Sequence, residues 1–318
     1  MTQHIVAIAD IHLGSKPPPT YKYDQARWDA DLVQCIHKAA KVADELENGA
    51  FIIVGDIFDR ESVSWRAVHQ LINVRRMHDI ATWWSAIPGP GHDMKTTDVE
   101  SSVLFFAGEQ TAIDVFWGDF TNFEVGRNSA LVYTPPPMTR VPFMEWLREG
   151  NLVKEGMDAD VVLLHGPVTL GARFPHITPK EISLPPSVKL VLCGDIHPPF
   201  MEECTFNSIG GSCTWASPGS IVAKNISECE HEASMIIAKF DPDLVKVVDV
   251  PLTSNRRELF IQPAKIEDSP IASSQLAQAL GEGGLPRANA VDMVYDLAKS
   301  EKFNDEQIGY IRELLEGA

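Results

Sequence analysis

Five short apolar runs in this chain each lead into aspartate or histidine, and this repeated pattern limits the possible folds more than any other feature. The runs lie at residues 4–9, 51–54, 161–164 and 189–193, with a less regular one inside 79–93. Continuous Val, Ile and Leu content is typical of strands that are covered on both faces. We therefore predict a set of strands buried within the protein.

Amphipathic patterns between the runs predict helices over residues 24–47 and 62–78. The order strand, helix, strand, helix indicates an α/β domain. After residue 198 the chain contains Gly, Pro and Asp turns, which predict antiparallel strands. Because α/β folds place their sites at the carboxyl ends of strands, the polar residues that follow the runs are expected to meet.

The residues that follow the runs are potential metal ligands. They are Asp10, His12, Asp56, His92, His165, Asp195 and His197. Carboxylates and imidazoles without a thiolate suit Mn²⁺, Mg²⁺, Fe or Zn²⁺ in a reactive site rather than a structural zinc finger. Asp10 and His12 are two residues apart and would share one side of an extended segment, as would Asp195 and His197. Asp56, on a Gly-Asp turn, could bridge two cations that activate water and hold phosphoryl oxygens.

Each of these motifs alone has an ordinary structural explanation. An Asp-x-His pair is common, Gly-Asp-x-x-Asp is a frequent turn, and a histidine after a strand usually bonds locally. The presence of ligand-competent residues after five successive strands favours a metal centre. The other histidines are interpreted as solvated or capping residues. They are His4, His37, His69, His78, His176 and His231.

Composition restricts the cellular compartment and the partners that we expect for this protein. With 27 basic and 44 acidic residues the formal charge is −17, which argues against non-specific coating of DNA by this chain alone. The same charge is compatible with cations bound in a carboxylate-rich pocket. The five scattered cysteines form no Cys-x-x-Cys pair, and the sequence predicts neither a secretory leader nor a membrane-spanning run. We therefore expect reduced thiols in a cytoplasmic protein.

The motif blocks resemble those of a known family. ADIHLG, GDIFDR, GHD, LLHGP and GDIHPP are similar, in this order, to the blocks of the calcineurin-like metallophosphoesterase superfamily. Within it, ADIHLG, GDIFDR, SPGSI at 217–221 and the segment 248–260 most resemble the nuclease subunit of the SbcCD type. The resemblance implies a nuclease domain over 1–262, built as an α/β sandwich of two mixed sheets flanked by helices. It leaves residues 263–318 as a small C-terminal helical region that caps the domain or binds a partner.

The resemblance also implies roles for the site residues. The implied ligands are Asp10, His12, Asp56 and His197 for metal one, and Asp56, His165 and Asp195 for metal two. His92 would face the phosphate and either protonate the leaving oxygen or stabilise the negative charge on the phosphorane. Asp93 would orient His92, and Asp59 and Arg60 would support the Asp56 loop.

Two departures from the family pattern concern the second metal. Gly91 stands where the family usually has an asparagine ligand, and Asp195 stands where it usually has histidine. The loss of one neutral ligand should weaken this site, and the added carboxylate should favour Mn²⁺ or Mg²⁺. We expect the first site to fill more readily, with Mn²⁺ as the best-suited metal.

The leading interpretation is a metal-dependent DNA exonuclease or endonuclease in recombination, repair or end processing. The resemblance implies a coiled-coil ATPase partner of the SbcC/Rad type and a nuclease homodimer. The apolar stripe of helix 62–78 is either a dimer surface or packs on the sheet. Helices predicted at 290–300 and 305–316 either dock the ATPase or pack on this subunit. Candidate DNA contacts are Lys16, Arg66, Lys95 and Arg173.

Two other functions are compatible with the same motifs. One is a phosphatase or phosphodiesterase that acts on a phosphoprotein, a cyclic nucleotide or another small phosphoester. The other is a degenerate scaffold subunit without catalysis, which the glycine at position 91 would favour.

Overall fold

The structure is a computed structural model that describes most of the chain up to Phe260. The described residues are 3–46, 49–78, 80, 83–94, 98–125, 128–155, 158–171, 175–205, 212–224, 226–241, 244–253 and 256–260. The predicted C-terminal region 263–318, with its two helices, lies outside them. The boundary predicted at residue 262 therefore stays a prediction.

Six strands form a first mixed sheet. They are β1 (Gln3–Ile8), β2 (Gly49–Val54), β3 (Trp83–Ile87), β4 (Asp114–Val115), β11 (Ser234–Asp241) and β12 (Leu244–Pro251). Their spatial order is β12-β11-β1-β2-β3-β4. Strands β1 to β4 are parallel, whereas β11 is antiparallel to both β1 and β12.

Six further strands form a second mixed sheet. They are β5 (Asp119–Val125), β6 (Asn128–Thr134), β7 (Val161–His165), β8 (Leu190–Gly194), β9 (Phe200–Thr205) and β10 (Ser212–Ser217). The order is β5-β6-β7-β8-β10-β9, with antiparallel strands at both edges. The predicted α/β fold with two mixed sheets is confirmed. The strands after residue 198 are antiparallel in β9–β10 and β11–β12, but β10 also pairs in parallel with β8.

Five α-helices are described. They are α1 (Gln25–Glu45), α2 (Trp65–Met77), α3 (Val103–Thr111), α4 (Arg140–Arg148) and α5 (Asn151–Glu155). The first two confirm the predicted helices and begin where a side chain accepts a free backbone N–H: Asp24 from Arg27, and Ser64 from Ala67. None of the described helices has the length and apolar character needed to cross a bilayer.

Strand alternation explains the layers of the fold. Ile5 and Ala7 of β1 face the second sheet, whereas Val6 and Ile8 face the helices. All four are 0% exposed, so this strand is covered on both faces as predicted. A third core lies between α4 and the outer face of the second sheet. The five cysteines are free, which agrees with the predicted thiols.

Most of the apolar stripe of α2 is buried in the core. Val68, Leu71 and Ile72 are buried against the first sheet, whereas Trp65 is 63% exposed. Trp65 contacts Phe106 of α3, with ring centroids 5.6 Å apart. Packing on the sheet therefore accounts for most of the stripe, and only its first turn presents an aromatic residue to solvent.

Candidate metal centre

The loops that follow β1 and β2 lie side by side and carry the centre of the site. His12 donates its backbone N–H to the carbonyl of Asp56 (2.9 Å), and Leu13 donates to Ile57 (2.7 Å). Asp59 in turn donates to Leu13 (3.1 Å). Parallel pairing thus continues past the strand ends, which brings the side chains of the Asp-x-His and Gly-Asp motifs together.

Four of the predicted ligands have left-handed backbone conformations. The φ angles are 48° for Asp10, 50° for His12, 47° for Asp56 and 82° for Asp195. Among the described non-glycine residues, Ala112 alone shares this property. The expectation that Asp10 and His12 lie on one side of an extended segment is therefore wrong, because each residue is turned individually. Such conformations cost about 1–3 kcal/mol each and cluster at functional sites.

Two groups of three side chains, within the described residues, bring ligand atoms within 4.8 Å of one another. They are Asp10, Asp56 and His165, and His12, Asp59 and His92. In the first group, Nε2 of His165 lies 3.2 Å from Oδ1 of Asp10 and 3.6 Å from Oδ1 of Asp56. The other oxygen of Asp56 lies 3.7 Å from Nε2 of both His12 and His92. Asp56 therefore lies between the groups, where a bridging carboxylate is required.

Buried polar atoms without partners show that this donor set fits divalent metal ions. Nδ1 and Nε2 of His12 and Oδ1 of Asp56 are buried and have no hydrogen-bond partner. An unpaired buried polar group costs about 1–3 kcal/mol, which coordination would remove. These two groups, together with His197 beside His12, contain the residues that would hold metal. Bound divalent ions would supply an activated water and positive charge beside phosphoryl oxygens.

Glycines allow the two sheets to approach each other at the site. A Cβ on Gly55 would lie 1.9 Å from Cδ2 of His165, and one on Gly194 would lie 2.1 Å from the carbonyl oxygen of Val54. Both contacts are shorter than any side chain tolerates. The Gly-Asp sequences are therefore needed so that His165 of the second sheet can reach Asp56 of the first.

The side chain of Asp93 holds two loops together and does not orient His92. Its buried carboxylate accepts the backbone N–H groups of Ile57 (3.2 Å), Phe58 (2.7 Å) and Gly89 (2.9 Å). Burial raises the pKa of Asp93 to about 6, although these hydrogen bonds oppose the shift. The expectation that this carboxylate orients His92 does not match these contacts. Asp93 instead joins the loop after β3 to the loop that carries Asp56.

His92 is oriented by a backbone carbonyl. Its Nδ1 lies 2.6 Å from the carbonyl oxygen of Asp59, which can only accept, so Nδ1 carries the hydrogen. Burial lowers the pKa of His92, and the neutral ring presents a lone pair on Nε2. In this form His92 is a ligand or a base. Protonation of a leaving oxygen would require it first to gain a second proton.

The remaining two predicted ligands lie beside these groups. The ring of His197 has its centroid 5.7 Å from that of His12, and its Nδ1 lies 3.1 Å from Oε2 of Glu228. Asp195 donates its backbone N–H to both carboxylate oxygens of Asp10 (3.0 and 3.1 Å). Its side chain accepts from Nη2 of Arg140, with both oxygens at 3.1 Å. Asp195 therefore contributes its backbone to the centre and its carboxylate to an ion pair.

Four residues at the site were not singled out from the sequence. Besides Glu228 and Arg140, Lys224 lies 3.4 Å from Oδ1 of Asp59. Ser220 donates its hydroxyl to the carbonyl of Asp10 (2.9 Å). Ser220 belongs to the recognised SPGSI segment, but the other three lie in stretches without a motif. Their proximity follows only from the packing of distant segments.

Two of the four cations predicted to contact DNA lie within the described residues. Lys16 is exposed on the loop after His12. Arg66 pairs with Asp29 of α1 (3.3 Å). Lys95 and Arg173 lie outside the described residues. Arg60 pairs with the neighbouring Asp59 (3.2 Å), and the supporting role expected of these two residues for the loop of Asp56 stays a prediction.

Gly91, where the family usually has asparagine, has open space around it. Its φ is +94°, and a Cβ built there would meet nothing within 4 Å. There is thus room for a side chain, although the left-handed backbone is unfavourable for most residues other than glycine.

Replacement of Glu228 by glutamine should weaken metal binding without unfolding the protein. Burial raises the pKa of Glu228, but the hydrogen bond and charge of His197, with smaller contributions from other neighbours, together outweigh it and the pKa is lowered. A carboxylate on Nδ1 leaves Nε2 for a metal, and loss of such a partner typically costs about 10- to 100-fold in metal affinity. Mn²⁺ titration measures the change. Glu230→Gln is the matched control, because Glu230 pairs with the exposed Arg257 (3.4 Å). Equal affinities for the two variants would contradict the role of Glu228.

Metal binding should release a proton from the Asp10–Asp56–His165 group. Burial lowers the pKa of His165, but the charges of Asp56 and Asp10 outweigh it and raise the pKa to about 10. Because a ligating imidazole must be neutral, a cation competes with this proton at neutral pH. Mn²⁺ affinity should therefore rise with pH, by about tenfold per unit between about pH 7 and 9. Calorimetry in buffers of different ionisation enthalpy counts the protons. An affinity independent of pH would contradict this assignment.

Two mixed sheets with a carboxylate and histidine cluster at their shared edge define a metal-dependent phosphoester hydrolase. The sequence model of the calcineurin-like phosphoesterase family matches residues 3–199. The chain belongs to this family, which confirms the superfamily predicted from its motif blocks.

Comparison with solved structures finds matches at 12% sequence identity. A dimetal phosphatase from Danio rerio has a TM-score of 0.46, with 79% of this chain and 97% of that chain covered. The calcineurin-like phosphoesterase YfkN from Bacillus subtilis has a TM-score of 0.44, with 81% of this chain and 94% of that chain covered. The 5'-nucleotidase precursor from Thermus thermophilus gives 0.45, and the match spans 89% of this chain but 60% of that one. TM-scores below 0.5 support no inference about substrate. No curated protein matches the chain.

Proposed function

We propose that this protein is a metal-dependent DNA nuclease that hydrolyses phosphodiester bonds in recombination, repair or end processing. The observation that carries the hydrolytic part is Asp56, which lies between two ligand groups and has a buried oxygen without a hydrogen-bond partner. Two metals at such a carboxylate can activate water and stabilise both oxygens of an in-line displacement. Mn²⁺ is the metal that the carboxylates and imidazoles suit best among the divalent candidates.

DNA as the substrate rests on the sequence resemblance to the SbcCD-type nuclease subunit. ADIHLG, GDIFDR and SPGSI carry it, and Ser220 of the last block contacts Asp10 directly. The charge of −17 gives the chain little long-range attraction for DNA. We therefore propose that an SbcC/Rad-type coiled-coil ATPase supplies much of the DNA affinity, and that both act in the cytoplasm.

A homodimer is the proposed assembly of the nuclease subunit. Its support is the exposed start of α2 and the adjoining α3, where Trp65 is 63% and Phe106 39% exposed. Large aromatic residues in contact at a surface are typical of protein interfaces. Sedimentation of the wild type and of Trp65→Ala tests this assembly, because loss of this side chain should favour the monomer.

A small phosphoester is the second candidate substrate, and the net charge favours it. A net charge of −17 gives no general attraction for a polyanion, and the chemistry of two metals beside a phosphoryl group applies equally to a small ester. The third candidate, a scaffold without catalysis, is supported by the missing side chain at Gly91. The buried atoms of His12 and Asp56 without hydrogen-bond partners indicate bound metal for a scaffold as well as for an enzyme, so only an activity assay separates the two.

An assay with linear DNA and a nitrophenyl phosphate ester, both with Mn²⁺, separates these functions. The proposal expects cleavage of DNA, alone or with the ATPase, and its loss in His92→Ala. Hydrolysis of the ester without DNA cleavage under either condition would favour the small-molecule enzyme. Metal binding without hydrolysis of either substrate would favour the scaffold.

A further inference from the structure

The backbone of Arg140 has a rigid support. It is the first residue of α4 and follows a loop with three successive prolines, Pro135 to Pro137. Proline fixes φ, and α4 itself is anchored by the buried side chains of Phe143 and Leu147. The position of the arginine backbone is therefore determined by packing and not by its charge partner.

The charge partner of Arg140 is attached to the centre of the site. Nη2 lies 3.1 Å from both oxygens of Asp195, whose backbone N–H donates to both oxygens of Asp10. Asp10 belongs to the ligand group with Asp56 and His165. Asp195 thus links the guanidinium of Arg140 to the ligand group that contains Asp10.

The guanidinium of Arg140 is partly exposed and is therefore accessible to a ligand that comes from solvent. The side chain of Arg140 is 47% exposed and that of Asp195 21%, whereas Asp10 is 0% exposed. The centre itself is rich in negative charge. Its carboxylates belong to Asp10, Asp56, Asp59, Asp93 and Asp195. An anionic phosphoester needs positive groups near these carboxylates, and a guanidinium is suited to this because its planar fork matches phosphate oxygens.

A second cation lies beside the other ligand group. Lys224 is 3.4 Å from Oδ1 of Asp59, which belongs to the group with His12 and His92. The two ligand groups are therefore each accompanied by one basic side chain.

We propose that Arg140 is a substrate-binding residue that donates hydrogen bonds to the non-bridging oxygens of the phosphate to be hydrolysed. This inference rests on the proposed function, since it assigns a role within the same phosphodiester reaction. Asp195 holds the guanidinium at the rim of the centre, and its carboxylate is thereby an anchor for Arg140. The alternative is that Arg140 only neutralises Asp195 and takes no part in binding.

Steady-state kinetics of Arg140→Ala with Mn²⁺ and bis(4-nitrophenyl) phosphate tests the proposal. Loss of a hydrogen bond to a charged group should raise KM, and the inhibition constant of inorganic phosphate, by about 10- to 100-fold, with a smaller effect on kcat. Arg148→Ala, at the exposed end of the same helix, is the matched control and should change either constant by less than about twofold. Arg140→Lys should recover only part of the loss, because lysine cannot form the planar fork.

Binding measurements separate this proposal from its alternative and from the proposed function. Calorimetry of inorganic phosphate with the Mn²⁺-loaded protein should show the same weakening in Arg140→Ala, whether or not DNA is cleaved. Unchanged KM and phosphate affinity in Arg140→Ala would overturn the proposal. If that variant does not fold, wild-type constants in Arg140→Lys would overturn it. Ester hydrolysis without DNA cleavage would instead reject the nuclease and leave the role of Arg140 measurable.

Discussion

Asparagine in place of Asp56 should reduce phosphoester hydrolysis by about a thousandfold or more. The carboxylate has one oxygen facing His165 (3.6 Å) and the other facing His12 and His92 (3.7 Å each), so its loss affects both ligand groups. Metal-ion catalysis supplies several kcal/mol of transition-state stabilisation, and each 1.36 kcal/mol corresponds to about tenfold in rate. Hydrolysis of a nitrophenyl ester with Mn²⁺, together with metal content after dialysis, measures the effect.

Asp29→Asn is a suitable control for Asp56→Asn. Asp29 is likewise a buried aspartate near a basic residue, since it pairs with Arg66, but it lies on α1. Its replacement should leave kcat within about a fewfold of the wild type, and any effect should appear in thermal unfolding. Two bound metals and near-normal activity in Asp56→Asn would show that this carboxylate does not join the two groups.

Alanine at Gly89 should abolish most activity, whereas alanine at Gly91 should not. A Cβ on Gly89 would lie 1.9 Å from Oδ1 and 2.5 Å from the backbone nitrogen of Asp56, although Gly89 has no left-handed φ. Asp56 must therefore move, and a displacement of about 1 Å can cost on the order of 100-fold in rate. At Gly91 the added Cβ meets no atom, and only the φ of +94° is unfavourable, by about 1–2 kcal/mol.

The two glycine variants control for each other. Each adds one methyl group to the same loop. The methyl group at position 89 acts through steric contact with Asp56, whereas the one at position 91 acts through backbone strain. Activity and Mn²⁺ affinity should fall in Gly89→Ala, whereas Gly91→Ala should mainly lower the unfolding temperature. Equal losses of activity in both would indicate that general loop strain, not the contact with Asp56, controls the site.

Much of the fold was predictable because its signals are local. An apolar run followed by a Gly-Asp or Asp-x-His sequence indicates both a buried strand and the residue at its end. The α/β class and the two long helices followed from such patterns, and the confirmed superfamily followed from the order of the blocks. The parallel strands of each sheet end at the same edge, so Asp10, Asp56 and His165 could be expected to meet.

The contacts between side chains were less predictable because they join distant segments. Arg140 and Asp195 are 55 residues apart, and neither the Pro-rich loop nor α4 carries a motif for this pair. Asp93 stands next to His92 in the sequence, yet it accepts hydrogen bonds from Ile57 and Phe58. Adjacency in the chain suggested the wrong partner, since the backbone turn between two neighbours decides where each side chain points.

By itself, the sequence indicated most of the candidate ligands and the strand that each of them follows, because ligand chemistry and strand burial depend on residue type and local order. It assigned only a supporting role to Asp59, which lies in one of the ligand groups. The tertiary structure decided how they are used. It turned Asp10, His12, Asp56 and Asp195 into left-handed conformations, and it assigned Asp195 to Arg140 and His197 to Glu228. These features depend on two sheets packing closely enough to hold strained backbone in place, and that packing is a property of the whole domain.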